Sequence, residues 1–185
     1  MFWWRLSVPL IFAFVAWNLI SLPLLPLYGE LVVPAAQVLL NLLGPHGARF
    51  AFAESFPTVT WRVTHQALSF DHSLSFRLLA YGLILYLTGL SVVPRVSMRQ
   101  RLGLALSGLP YLFLFHVFDL MMWAESRLLT EIASQHYDLA QFDLWFAFVK
   151  FYNHFSVLSL KQVAPLLLLG LQWSLLQQVT SRKDD

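Results

Sequence analysis

Leu102–Trp123 reads LGLALSGLPYLFLFHVFDLMMW, and its only carboxylate or imidazole groups are Asp119 and His116. A helix crossing a hydrocarbon core about 30 Å thick needs about 20 apolar residues. The stretch therefore predicts a membrane span. Upstream lies a second apolar block, Leu78 to Val93, flanked by Arg77 and Arg95, and downstream a third, about Val157 to Leu176. Toward the start, Leu6 to Tyr28 (LSVPLIFAFVAWNLISLPLLPLY) carries no charge between Arg5 and Glu30. Proline lacks the N–H donor, so Pro23 and Pro26 are expected to kink or end this segment. It is longer than a signal-peptide core and is followed by no small-x-small cleavage site, so it reads as a retained span rather than a removed leader.

Composition agrees with these blocks. Residues are 58% hydrophobic and 12% charged, with a mean hydropathy of +0.63, whereas an ordinary globular domain is about half apolar and roughly a quarter charged. There are no cysteines, which excludes a disulfide staple, a thiolate metal site and a cysteine nucleophile within this chain.

Basic residues in short loops stay on the cytoplasmic side. Arg5, then Arg95, Arg99 and Arg101, then Arg182 and Lys183 all fall on one side of the four expected spans. The other side receives segments 29–76 and 124–155, with Arg49, Arg62, Arg127 and Lys150 against seven acidic residues. Both termini are thus expected in the cytoplasm of a bacterial-type inner membrane. This asymmetry accounts for the net charge of +2, and no basic, aromatic-interleaved pattern points to nucleic acid.

In the first outer segment, Leu31 to Leu43 (LVVPAAQVLLNLL) suits a helix lying at the outer interface. Beyond Gly44, Pro45 and Gly47 the pattern becomes alternating, in Arg49–Glu54 and again in Thr58–Thr64, where Val59, Trp61 and Val63 share one face. Two strands meeting there make a small β-hairpin. In the second outer segment, Leu139 to Phe155 is densely aromatic. Such a helix serves as a headgroup-level belt or lines a groove for a lipid chain or substrate. The expected fold class is an all-α membrane protein in one domain, residues 1–185: four transmembrane helices, an outer interfacial helix and an extracytoplasmic β-hairpin.

Ionisable groups at membrane depth are costly, so each is a candidate for function. His116 and Asp119 stand three apart, on one helical face. His72 opens the second span and His154 precedes the fourth. The topology puts His72, His116, Asp119 and His154 at the outer mouth of the bundle. Three imidazoles and a carboxylate can bind zinc or copper, and His with Asp can act as an acid–base pair. The same residues can equally be satisfied by hydroxyls, carbonyls or water. Glu125 and Arg127 read as a solvated helix end.

The order is a first span, an outer helix ending in Leu42-Leu43-Gly44, a hairpin, a second span, the turn Val96-Ser97-Met98-Arg99-Gln100-Arg101-Leu102-Gly103, and two further spans. It resembles the core of the archaeosortase/exosortase family, membrane cysteine transpeptidases that process C-terminal sorting tails outside the cytoplasmic membrane. In that family a cysteine begins the span after the hairpin, an arginine closes the next span and a histidine precedes a later one. Here Phe70-Asp71-His72-Ser73 holds no cysteine, and Asp119 stands where the arginine is expected. His154 matches by type and place. The resemblance thus implies a degenerate member lacking its nucleophile. The expected function is a non-catalytic membrane subunit or assembly factor of an envelope complex, docking a membrane protein partner through Trp145, Phe148, Phe151 and Trp61. The alternative is an enzyme or metal-binding protein using the His/Asp residues; a lipid or small-molecule carrier ranks last, for want of paired broken helices.

Overall fold

In a computed structural model, the described residues are 3–43, 49–55, 58–65, 68–94, 96–135, 144–156 and 160–181. Their elements, in order, are α1 (Trp3–Leu43), β1 (Arg49–Ser55), β2 (Thr58–His65), β3 (Leu68–Ser75), α2 (Phe76–Val92), α3 (Met98–Gln135), α4 (Leu144–Phe155) and α5 (Lys161–Ser181). The chain divides into two compact units. One comprises Met1–Pro23, Tyr81–Leu112 and Lys161–Asp185; the other comprises Leu24–Ala80 and Phe113–Leu160.

Among the described residues, two helical stretches are long and apolar enough to cross a membrane, Pro23–Leu43 (mean hydropathy 1.4) and Met98–Glu131 (mean hydropathy 1.6). Ser7–Ile20 and Ala80–Val92 are apolar but shorter. Two expected boundaries are corrected. The first span and the interfacial helix are one helix, since α1 runs unbroken from Trp3 to Leu43. Proline removes one donor and crowds the carbonyl four residues earlier, which can bend a helix without ending it; Pro23, Pro26 and Pro34 all lie inside α1. α3 reaches twelve residues past Trp123, to Gln135, and α5 is described from Lys161, the expected start of the fourth span near Val157 lying outside the described residues.

The third correction concerns the strands. β1, β2 and β3 form a three-stranded antiparallel sheet in the order β1-β2-β3, not a two-stranded hairpin. Leu68-Ser69-Phe70-Asp71-His72-Ser73-Leu74-Ser75 alternates as strictly as β2 does. The register sets Trp61 opposite His72 and Arg62 opposite Asp71. His72 and Leu74, two apart on β3, therefore share one face. Leu74 is buried in the core of the second unit. Two strands alone are marginal, and a third strand with an apolar face against a helical core relieves that. On the opposite face Arg62 Nε and Nη2 donate to the two oxygens of Asp71 at 2.8 and 3.0 Å, which holds the Asp71 carboxyl below its ordinary value.

The core of the second unit joins Leu25, Val32, Val33, Ala36 and Leu40 of α1 with Leu120, Met121, Met122, Leu128 and Leu129 of α3, and Val149 of α4. The α1 residues recur at helical spacing, so α1 buries one stripe. The α3 residues do not, because there the helix is covered nearly all round.

The core of the first unit is built on Tyr86, Leu90, Leu104, Leu112 and Leu169. The Tyr86 hydroxyl lies 2.7 Å from the Leu104 carbonyl and 2.8 Å from Gln172 Oε1, and Gln172 Nε2 donates to Ser107 Oγ at 2.9 Å. The turn between α2 and α3 is closed from both sides. Ser97 and Gln100 form a reciprocal capping box, Ser97 N–H to Gln100 Oε1 at 2.8 Å and Gln100 N–H to Ser97 Oγ at 3.3 Å. Arg101 donates to the carbonyls of Leu90 (2.6 Å), Val93 (2.9 Å), Val96 (3.3 Å) and Ser91. A cation there satisfies the orphan carbonyls of α2 and opposes the negative end of its dipole.

Gly108 lets α3 come against Tyr86: a Cβ there would overlap the Tyr86 hydroxyl, whereas a Cβ on Gly170 would meet nothing within 4 Å. Gly108→Ala is therefore expected to cost about 1–3 kcal/mol through overpacking. Gly170→Ala is expected to be neutral or to gain up to about 1 kcal/mol from helix propensity. Thermal unfolding of the two purified variants measures the contrast.

Candidate functional site

The second half of α3 carries three buried polar side chains, His116 (1% exposed), Asp119 (3%) and Glu125 (1%). A buried carboxylate or imidazole is tolerable only with hydrogen-bond partners. Each of these has one on another element of the same unit. The Tyr28 hydroxyl of α1 lies 2.6 Å from His116 Nδ1, with the two rings edge to face at 5.7 Å. Phe113, one turn earlier on α3, also packs edge-on against Tyr28. The Ser156 hydroxyl, just past α4, donates to Asp119 Oδ1. Trp145 Nε1, near the start of α4, donates to Glu125 Oε1 at 3.2 Å.

Tyr152 belongs to the same group of residues. It sits one turn before Ser156, with its ring edge-on to Phe118 at 5.3 Å. Burial, and then the neighbouring charge of Asp119, push its phenol well above the ordinary value. A tyrosine so placed stays protonated and can donate. Further along, Lys150 Nζ donates to Thr130 Oγ1 and lies 5.6 Å over the Phe146 ring. Its ammonium is held below the ordinary value by burial and by Arg127.

The four sequence candidates are distributed as follows. His116 and Asp119 lie inside the second unit, each held by its own partner. His72 is half-buried on β3, its Nε2 4.0 Å from Glu131 Oε1. His154 is exposed on α4, its Nδ1 2.9 Å from the Lys150 carbonyl of its own helix. Among the described residues no three histidines or carboxylates are gathered as a metal site would need. Glu125 is not a solvated helix end but a buried acceptor, while Arg127 is exposed over the Trp123 ring. Trp145 faces inward, and the exposed large apolar residues of α4 are Leu144, Phe148, Phe151 and Phe155. The side chain of Trp61 lies outside the described residues.

Chemically the group contains three linkages, Tyr28–His116, Ser156–Asp119 and Trp145–Glu125. A serine that donates to a carboxylate, with no imidazole as its base, is not an activated nucleophile. With 3% exposure or less, His116 and Asp119 are closed to a substrate in this conformation. The arrangement ties α1 and α4 to α3. Tyr28, Ser156, Tyr152 and Trp145 are partners that sequence spacing does not reveal, since they lie 20 to 88 residues from the groups they bind. The apolar runs around Tyr28 and Trp145 are the only signal that they are buried.

No family model matches the chain, and neither a curated protein nor a solved structure matches it.

Tyr28→Phe and Ser156→Ala each leave a buried group short of a partner, at an expected cost of about 1–3 kcal/mol. In a double-mutant cycle, Ser156→Ala with Asp119→Asn should couple by at least about 0.5 kcal/mol, while Ser156→Ala with Gly170→Ala should be additive. Denaturation of the purified variants reads both.

Proposed function

We propose that this chain is a multi-pass protein of a bacterial-type inner membrane, crossing four times with both termini in the cytoplasm, on a scaffold related to the exosortase core. In this reading it is a non-catalytic accessory subunit of an envelope complex. It docks an integral membrane partner through the exposed face of α4.

The observation that carries the reading is the division of α4 into two apolar faces. Trp145, Val149 and Tyr152 pack into the core. Leu144 (86% exposed), Phe148 (46%), Phe151 (68%) and Phe155 (46%) form a second stripe at spacings of four, three and four residues. The Phe151 and Phe155 rings are parallel at 6.0 Å. A solvated helix would place polar residues there. Aromatic anchors of this kind dominate the energetics of protein interfaces.

The membrane reading is supported by Ile11, Phe12 and Leu19 of α1, Leu106 and Tyr111 of α3, and Leu167, Leu171 and Leu175 of α5, each at least 60% exposed. Apolar surface on this scale suits lipid rather than water. The non-catalytic reading is supported by the absence of cysteine and by the structural partners of His116, Asp119 and Glu125.

Purification from native membranes in mild detergent tests the proposal. The chain should carry a stoichiometric membrane protein, and Phe148→Ser/Phe151→Ser should lower its recovery at least tenfold, about 1.4 kcal/mol, with thermal stability unchanged. A lone monomer, or undiminished recovery of the partner, would sink the idea and leave the stripe to the lipid interface.

A further inference from the structure

A groove of about 460 Å³ opens in the first unit beside the turn between α2 and α3. That volume lies in the range of about 300–1,000 Å³ typical of ligand sites. Its walls are apolar, with Leu87 and Leu90 of α2 and Leu102 and Ala105 of α3. At one end stands Arg101, and Trp17 closes a side by donating its indole N–H to Ser91 Oγ at 2.9 Å.

The cation there is held in place, and among the described residues no carboxylate pairs with it. A guanidinium has five N–H donors, and four of those on Arg101 go to carbonyls of the turn. Carbonyls solvate the cation without cancelling it, apart from the partial negative charge of a helix C-terminus. No acidic residue occurs from His72 to Phe118, while Arg77, Arg95, Arg99 and Arg101 do. The start of α3, with its positive dipole end, borders the same groove at Met98.

An apolar trough ending in one immobile cation complements an amphiphile with a negative head. We propose that this groove holds one anionic phospholipid of the cytoplasmic leaflet, its headgroup at Arg101 and an acyl chain along Leu87, Leu90 and Ala105. The inference rests on the four-span topology proposed above, which puts the α2–α3 turn at the cytoplasmic surface. Basic pockets between helices at that surface are a recurring means of recognising acidic headgroups.

Native mass spectrometry of the full chain in detergent, with phosphatidylglycerol or phosphatidylethanolamine added back, tests it. One phosphatidylglycerol should be retained, with an affinity at least on the order of fivefold above that for phosphatidylethanolamine, the preference one basic residue gives near a membrane surface. Met98→Glu adds a negative charge at the rim. Met98 is 81% exposed and opens α3, where an acidic side chain favours the helix, so the variant should fold and lose that preference. Ala105→Trp, which fills the trough, should abolish retention of both lipids, and Leu166→Trp, on exposed α5 surface, should not. Equal retention of the two lipids, retention unaffected by Met98→Glu and Ala105→Trp, or displacement by inorganic phosphate would overturn the lipid site. Alkaline carbonate extraction of membranes reports the topology separately: a chain released by carbonate would overturn the membrane reading and this proposal with it, whereas a retained chain with no lipid preference would overturn this proposal alone.

Discussion

A carboxylate surrounded by hydrocarbon must find hydrogen-bond donors or take up a proton, because the ionised form is too costly to leave unaccompanied. Asp119 and Glu125 impose that requirement on the second half of α3. It is met by Ser156 and by Trp145, which bracket α4 from its far end and its near end. With both ends of α4 assigned, the helix has little freedom to rotate, and Val149 and Tyr152 must point inward. His116 makes the same demand on α1, met by Tyr28. The polar groups thus specify which faces of α1 and α4 meet α3, a task that apolar packing alone leaves loosely defined. That is the attested use of buried polar residues where their role is known.

The orientation of α4 has a consequence for its other side. Once Trp145, Val149 and Tyr152 are committed to the core, the aromatic residues left over, Phe148, Phe151 and Phe155, must face outward. The candidate catalytic residues and the proposed docking surface are therefore two expressions of one constraint. Asp119 and Glu125 hold α4, and α4 presents the stripe. The first unit shows a parallel device at smaller scale: Arg101 satisfies the end of α2, and in doing so fixes a cation in the lining of an apolar groove.

Apolar runs were the legible part of the sequence. The block at Leu78–Val93 agrees with α2 to within two residues at either end, and Leu102–Trp123 lies wholly inside α3. Boundaries at prolines are not legible, since a proline says that one hydrogen bond is missing and not that the neighbours give way; α1 continues through four of them. The third strand was hidden because Asp71, His72 and Ser73 look like the polar mouth of a helix, although Leu68, Phe70 and Leu74 alternate with them at the strand period. At the site, the spacing of His116 and Asp119 gave a shared face, but it cannot name partners dozens of residues away. Glu125 was misjudged for a related reason. Beside Arg127 it looks like a surface pair, and only the tertiary fold separates the two, burying one and exposing the other over Trp123.

The proposed disposition in the membrane underlies both the docking stripe and the lipid groove, and the absence of native cysteine makes it directly measurable. Single cysteines placed at Arg99, between α2 and α3, and at Thr60, on the polar face of β2, can be probed in intact spheroplasts with a membrane-impermeant maleimide. With four spans and cytoplasmic termini, position 60 should label in intact spheroplasts and position 99 only after the membrane is opened. Equal labelling of both positions before lysis would contradict that disposition.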